Sequence, residues 1–357
     1  MSCSEPKVRS AAAERARRAG FVLPFVVVAT AIVAILALAA ISTVWRGYRA
    51  ARLAANGVRA QFAADEGVAL QLDAWPAESL ASVAPGTTIS TRVTTAVGDS
   101  VRVRITRTQP LIAWLTADVI LGPLGTPGLV RRHVTRVLSL DPPALPIVGA
   151  LTAIAAVHGQ DPTTIDGRDR ADATDACGAL RDTVSRMPIA STALVDSPAG
   201  TWTGPSASLT LVDTATVRAA FDQGWISVLA RSPVRTSDSM PQRLAPLPGW
   251  HALLLDGTTV SVQSRSRWRG LLAVRGDLVV TGSLDVEGVL VVRGRLDARG
   301  AVLRVRGALL VASVGNRDVE LGDQTRVQYD RCAVQMALAT IAVPRTRPFS
   351  LWYSPQH

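Results

Sequence analysis

Lysine is all but absent. Lys7 is the only one, so arginine carries nearly all of the net charge of +10 over 357 residues. Beyond the first 20 residues no basic block interleaved with aromatics stands out. The charge therefore reads as a solvated surface, with nucleic acid a weakly supported partner. Histidine is sparse too: His133, His158, His251 and His357 lie far apart, never at metal-ligand intervals. The chain contains no G-x-S-x-G elbow, no P-loop, no H-E-x-x-H and no G-x-G-x-x-G behind a strand. These absences point to a non-enzymatic role with no metal and no cofactor. Cysteine is limited to Cys3, Cys177 and Cys332.

What the chain does have is an uninterrupted apolar run over 21–44, FVLPFVVVATAIVAILALAAISTV, bounded by Phe21 and Val44 and holding Pro24 and Phe25. It contains no charged residue and exceeds the ~20 residues a helix needs to cross a bilayer core. A soluble helix rarely stays apolar on all faces for this distance. In the preceding leader, Lys7, Arg9, Arg15, Arg17 and Arg18 outnumber Glu5 and Glu14, a net +3. The positive-inside bias then keeps 1–20 in the cytoplasm and sends the C-terminal bulk across the inner membrane. A secretory signal peptide is the competing reading, but its apolar region is shorter and ends at a small-residue cleavage site. Here the run passes into a proline-free, Ala-rich continuation. One helix over about 21–70 would be roughly 75 Å long, half in lipid and half projecting.

The junction Arg17-Arg18-Ala19-Gly20-Phe21-Val22-Leu23-Pro24 resembles a type IV prepilin cleavage site. Gln61-Phe62-Ala63-Ala64-Asp65-Glu66-Gly67 is similar to the stem end of PilX-like minor pilins. The resemblance implies cleavage between Gly20 and Phe21 by a prepilin peptidase. It also implies packing against other pilin or pseudopilin subunits and a periplasmic or, after assembly, extracellular C-terminal part. Most major pilins carry Glu at the fifth mature position, where this chain has Phe25. That departure argues against a major subunit more than against the family. In an exported compartment Cys177 and Cys332 form an even pair, either disulfide-bonded or two free thiols.

Beyond the stem, Pro76 and Pro85-Gly86 mark an exit, and period-two alternation predicts strands over 88–94, 101–106, 114–120 and 130–140. These form a small antiparallel sheet packed on the stem within a pilin-like region, 71–143. Residues 144–265 read as mixed α/β and loop. Within them a helix is expected over 214–229 and a Pro/Ser-rich linker over 231–248. The acidic run 161–175 invites calcium but fails the spacing of the known loop, so a solvated loop is the better reading.

An internal repeat follows. Glycines at 270, 276, 282, 288, 294, 300 and 307 stand six residues apart five times, then seven. Between them the pattern is Gly-x-Leu-x-Val-x, apolar inside and polar outside. No unit buries its apolar side alone, so units must stack. A parallel β-solenoid over 266–328 is expected ahead of antiparallel hairpins. The tail, 329–357, begins with a short helix expected to cap the solenoid's open end. The whole chain reads as α+β: a leader (1–20), a transmembrane and stem helix (21–70), a sheet, a mixed region, a solenoid and a tail. The rival to the pilin reading is a permanently anchored solenoid scaffold; an adhesin or DNA receptor is a third.

Overall fold

The structure is a computed structural model that describes residues 11–74, 77–122, 129–169, 187–191, 195–196, 201–204, 210–211, 213–235, 249–313 and 318–347. Two compact units divide the chain: Met1–Phe62 with Val119–Arg132, and Ala63–Asp118 with His133–His357. Helix α1 (Ala11–Ala74) runs through both. It extends past the expected 21–70 at each end, because the Ala- and Arg-rich leader segment and the residues up to Ala74 are all strong helix formers. In the first unit, Gly57 of α1 lies against the Arg132 guanidinium, 3.1 Å from where a Cβ would stand.

In the second unit, α2 (Ala77–Ser82) leads into an antiparallel meander of β1 (Thr88–Thr94), β2 (Ser100–Gln109), β3 (Ile112–Leu121) and β4 (Val130–Asp141). The alternation seen in the sequence is reproduced in burial, with Val101, Val103 and Ile105 inward and Ser100, Arg102 and Arg104 outward. Arg107 departs from this order. It is 1% exposed, and its guanidinium donates to the carbonyls of Ala81, Val83 and Pro110, closing the end of α2 onto β2. Burial lowers its pKa to about 10, so it stays charged at neutral pH while saturated by carbonyl acceptors.

Strands β5 (Gly149–Ala153), β6 (Val157–Gly159) and β7 (Thr164–Asp166) follow, then β8 (Met187–Ser191), β9 (Val195–Asp196), β10 (Thr201–Thr203) and β11 (Thr210–Leu211). Helix α3 (Thr214–Arg231) matches the expected position; the Asp213 carboxylate caps it, accepting from the Thr216 N–H. Then come β12 (Val234–Arg235), β13 (His251–Leu255), β14 (Thr259–Val262), β15 (Arg265–Val274), β16 (Asp277–Val280) and β17 (Ser283–Val292). The chain continues through β18 (Leu296–Ala298), β19 (Val302–Val311), β20 (Val319–Leu321), β21 (Arg326–Tyr329), α4 (Arg331–Ala339) and β22 (Val343–Arg347).

Pairing from β5 to β21 is parallel throughout the described residues, which selects the solenoid over hairpins. Each six-residue repeat is one side of a three-sided turn. Gly270, Gly288 and Gly307 stack in register at one corner, all with positive φ. A Cβ at Gly307 would strike the Gly288 carbonyl, so that position admits only glycine, whereas the outer turns of the same column carry His251 and Tyr329. Residues 251–329 wind four consecutive turns.

Three features differ from expectation. First, the stack does not begin at 266. Strands β5, β6 and β7 pair with β19, β20 and β21, so a segment that precedes the repeat by more than a hundred positions continues it in register. A further turn, β8 to β10, stacks on that. Chain order and spatial order are therefore permuted. Helix α3, about 27 Å long by its 18 residues, joins β11 at one end of the stack to β12 at the other. Second, β22 leaves the tail to pair antiparallel with β4, making a five-stranded sheet ordered β1-β2-β3-β4-β22. Third, α4 does not cap an open end. It lies along the side formed by β15, β17 and β19, its Ala337 Cβ 3.0 Å from where a Gly288 Cβ would stand.

That last placement explains why the apolar-in, polar-out alternation fails on one of the three sides. Leu271 to Val274, Val289 to Val292 and Ala308 to Val311 are buried on both faces, as continuous apolar runs require. Inside the solenoid, one ladder reads Trp268, Val286, Val305, Val327, Ile165, Trp202. Branched aliphatics fill its middle turns and a tryptophan closes it at each end.

Candidate functional site

The feature with the plainest functional content is α1. From Leu23 onward through the apolar run its side chains are exposed, and among the described residues it is the one helix long and apolar enough to cross a membrane. A signal sequence passes the same test. Phe25 is 72% and Val44 71% exposed, so no described residue of the chain buries this surface. Pro24 lies inside the helix, near its start. Gly20 and Phe21 also lie within α1, and their side chains fall outside the described residues. The few polar groups in the run are satisfied internally. The Thr30 hydroxyl donates to the carbonyls of Val26 and Val27, Ser42 to Ala39 and Thr43 to Ala40, at 2.7–2.9 Å. Such back-bonding lets a hydroxyl sit in an apolar medium without an unpaired donor.

Past Val44 the surface changes character. Trp45 and Tyr48 are exposed beside Arg46, Arg49 and Arg52, and the Arg49 guanidinium lies 5.6 Å over the Trp45 ring. Aromatic and basic residues at the end of an apolar helix suit a membrane–water boundary. Within the second unit the end of α1 is built into the sheet. Ala63, Ala64 and Val68 are buried, and Gly67 has its Cα against Val101, where a Cβ would come within 2.7 Å of that side chain. Glu66 accepts the Ala96 N–H at 2.8 Å, Gln71 accepts the Thr91 hydroxyl at 2.6 Å, and Asp65 pairs with Arg136 at 2.9 Å.

Elsewhere the charged groups are organised for register. On one solenoid side Arg267, Asp285 and Arg304 are in-register neighbours on successive turns, as are Arg269, Glu287 and Arg306. Asp285 lies 3.9–4.0 Å from Arg265, Arg267 and Arg304, and Glu287 bonds Arg269 at 3.1 Å. Alternating sign avoids the repulsion that a parallel stack of identical charges would carry. Hydrogen bonds from Arg299 hold the Asp297 carboxyl below the usual range. For Asp118, burial acts to raise the pKa, but bonds from His133 and Arg104 outweigh it and lower the value. Asp166 is lowered in the same way by Arg168 against its own burial.

No group of three or more His, Cys, Asp or Glu side chains able to hold a metal occurs among the described residues. Of the acidic run, the part over 170–175 lies outside the described residues, whereas 164–166 is strand β7 and not loop. Cys332 is buried and disulfide-bonded; Cys177 lies outside the described residues. Sequence reasoning missed the Arg107 clamp, because an arginine at an inward strand position looks like a break in alternation until its acceptors are seen. Comparison with known proteins gives no further handle: no protein-family model, no curated protein and no solved structure matches this chain.

Proposed function

We propose that the chain is a non-enzymatic, membrane-anchored structural subunit resembling a PilX-like minor pilin or a secretion pseudopilin. A single observation carries the reading. One unbroken helix presents an exposed, internally satisfied apolar surface from Leu23 to Val44, then packs its small-residue end (Ala63, Ala64, Gly67) against an antiparallel meander. A helix with no apolar partner among the described residues of its own chain needs lipid or other helices around it. In this reading prepilin peptidase cuts after Gly20, Phe21 becomes the mature N-terminus, and the stem moves from the inner membrane into a bundle of neighbouring stems. Residues 1–20 are cytoplasmic and the folded C-terminal part is periplasmic. Phe25 in place of an acidic fifth residue suits an initiating or tip position, where one axial ion pair can be absent. Edman sequencing of protein extracted from membranes is expected to begin at Phe21; a start anywhere else removes the pilin reading.

A second reading, a permanently anchored solenoid scaffold, draws on the solenoid's share of the fold. It keeps the leader attached and stays with membranes when surface filaments are sheared off. Finding the mature chain in the sheared fraction excludes it.

A further inference from the structure

We infer that the outward face of the β1–β2 ribbon is a binding site for the phosphate backbone of a nucleic acid, centred on Arg92 and Arg102. Antiparallel register places these two arginines directly opposite each other, with Ser90 across from Arg104 and Thr94 across from Ser100. Their partners on the inward side, Val93 and Val101 among them, hold the ribbon down, so the arginines have no other face to turn to. Like charges at directly opposed positions repel. Where like charges oppose each other in the solenoid, a charge of the other sign stands by: Asp285 is 3.9 Å from Arg304, which lies opposite Arg326, and Arg295 is within 3.9 Å of both Asp297 and Glu320.

Neither Arg92 nor Arg102 has an acidic partner among the described residues, and neither strand carries a carboxylate. The nearby Asp118 is already engaged, 2.8 Å from both Arg104 and His133. What the ribbon offers is therefore a cationic pair flanked by hydroxyls. Guanidinium forks bind phosphate oxygens bidentately, and Ser and Thr hydroxyls are common backbone donors beside them. A ligand carrying anionic groups in series relieves the Arg92–Arg102 repulsion that the fold leaves uncompensated. With no base-reading element on the ribbon, the recognition is of backbone and not of sequence.

The site is independent of how the N-terminus is processed. Its test uses the full chain in detergent and a fluorescently labelled oligothymidylate, followed by anisotropy between about 50 mM and about 200 mM salt. Wild type is expected to bind in a salt-dependent manner. R92Q/R102Q should bind about tenfold more weakly at low salt, with the log–log salt slope smaller by about 1.4 for two lost phosphate contacts. R102Q alone should lie between the two, which keeps the test valid if the double variant folds poorly by circular dichroism. R265Q/R267Q, removing two exposed arginines from the solenoid, should bind as wild type does. The proposal is overturned by no wild-type binding at low salt, by unchanged binding in the β1–β2 variants, or by an equal loss in R265Q/R267Q, which would make net charge the cause.

Discussion

Gly67 shows how much can rest on a missing side chain. It is a poor helix former in the middle of a long helix, and replacing it by alanine should gain helix propensity of about 1 kcal/mol. Yet a Cβ there would meet Val101 at 2.7 Å, on a side chain that is fully buried and has nowhere to move. Overpacking of this kind costs about 1–3 kcal/mol. G67A is therefore expected to be destabilising overall, by about 1 kcal/mol or more, seen as a lower denaturant midpoint. At G47A, where nothing lies within 4 Å of the added carbon, only the propensity gain should appear. Gly47 and Gly67 look alike in the sequence, and only the neighbour across the packing decides between them.

The carboxylates make a pH prediction at the same scale. Asp118, Asp166 and Asp297 all have folded-state pKa values below the ordinary carboxylate value. A group of this kind binds its proton more readily when unfolded. Its contribution is complete above about pH 5, begins to fall near the ordinary carboxylate value of about 4, and is lost as pH falls through the lower folded value. Thermal unfolding followed from neutral pH downward should show stability declining through that window. D297N, which removes the partner of Arg299, should flatten the acid limb and leave its shape above pH 5 unaltered. A steeper acid limb in D297N would contradict the assignment.

At the scale of elements, α4 is the piece whose position matters most to the solenoid. It covers the side where β15, β17 and β19 are apolar on both faces, and its own Cys332 to Ala339 surface is largely buried there. Ala337 is fully buried close to Gly288. A337D would place a charge against that apolar side, and an unpaired buried charge is costly enough to displace the helix, at about 3 kcal/mol or more. Expected results are dye binding to exposed apolar surface and self-association on gentle warming, while far-ultraviolet dichroism keeps its β signal. The repeat 266–328 and the α4 helix were both legible from spacing alone. Their relation was not: a short helix after a solenoid looks like an end cap. The unbroken runs LLAV, VLVV and ALLV hinted otherwise, since strands covered on both faces lose their alternation.

For the molecule as a whole, orientation across the membrane is the property most open to test. The leader has five basic residues, but Arg46, Arg49, Arg52 and Arg59 follow the apolar run within fifteen positions of its end. The bias that keeps the N-terminus inside is therefore narrow. R15Q/R17Q/R18Q leaves two basic residues against those four, and the chain is expected to insert in mixed or reversed orientation. Protease accessibility of the C-terminal part in spheroplasts reads this directly: full digestion in wild type, partial or full protection in the triple variant. Protection already in wild type would reverse the proposed topology.

Some of this architecture was written locally and some was not. The apolar helix, the β1–β4 meander, α3 and the Gly-x-Leu-x-Val turns each depend on residues a few positions apart, so periodicity alone determined them. The fifth strand β22, the turns from 149–203 stacked on β21 and β19, and the Arg107 clamp depend on partners far away in the chain. Leu151 continues the column of Leu309, and Arg345 lies opposite Ser139. Short segments such as VHG and TID carry too few residues to display a period. A strand that short exists because a neighbouring turn offers it a backbone edge in register and an apolar interior to fill, and that offer is made by the tertiary structure.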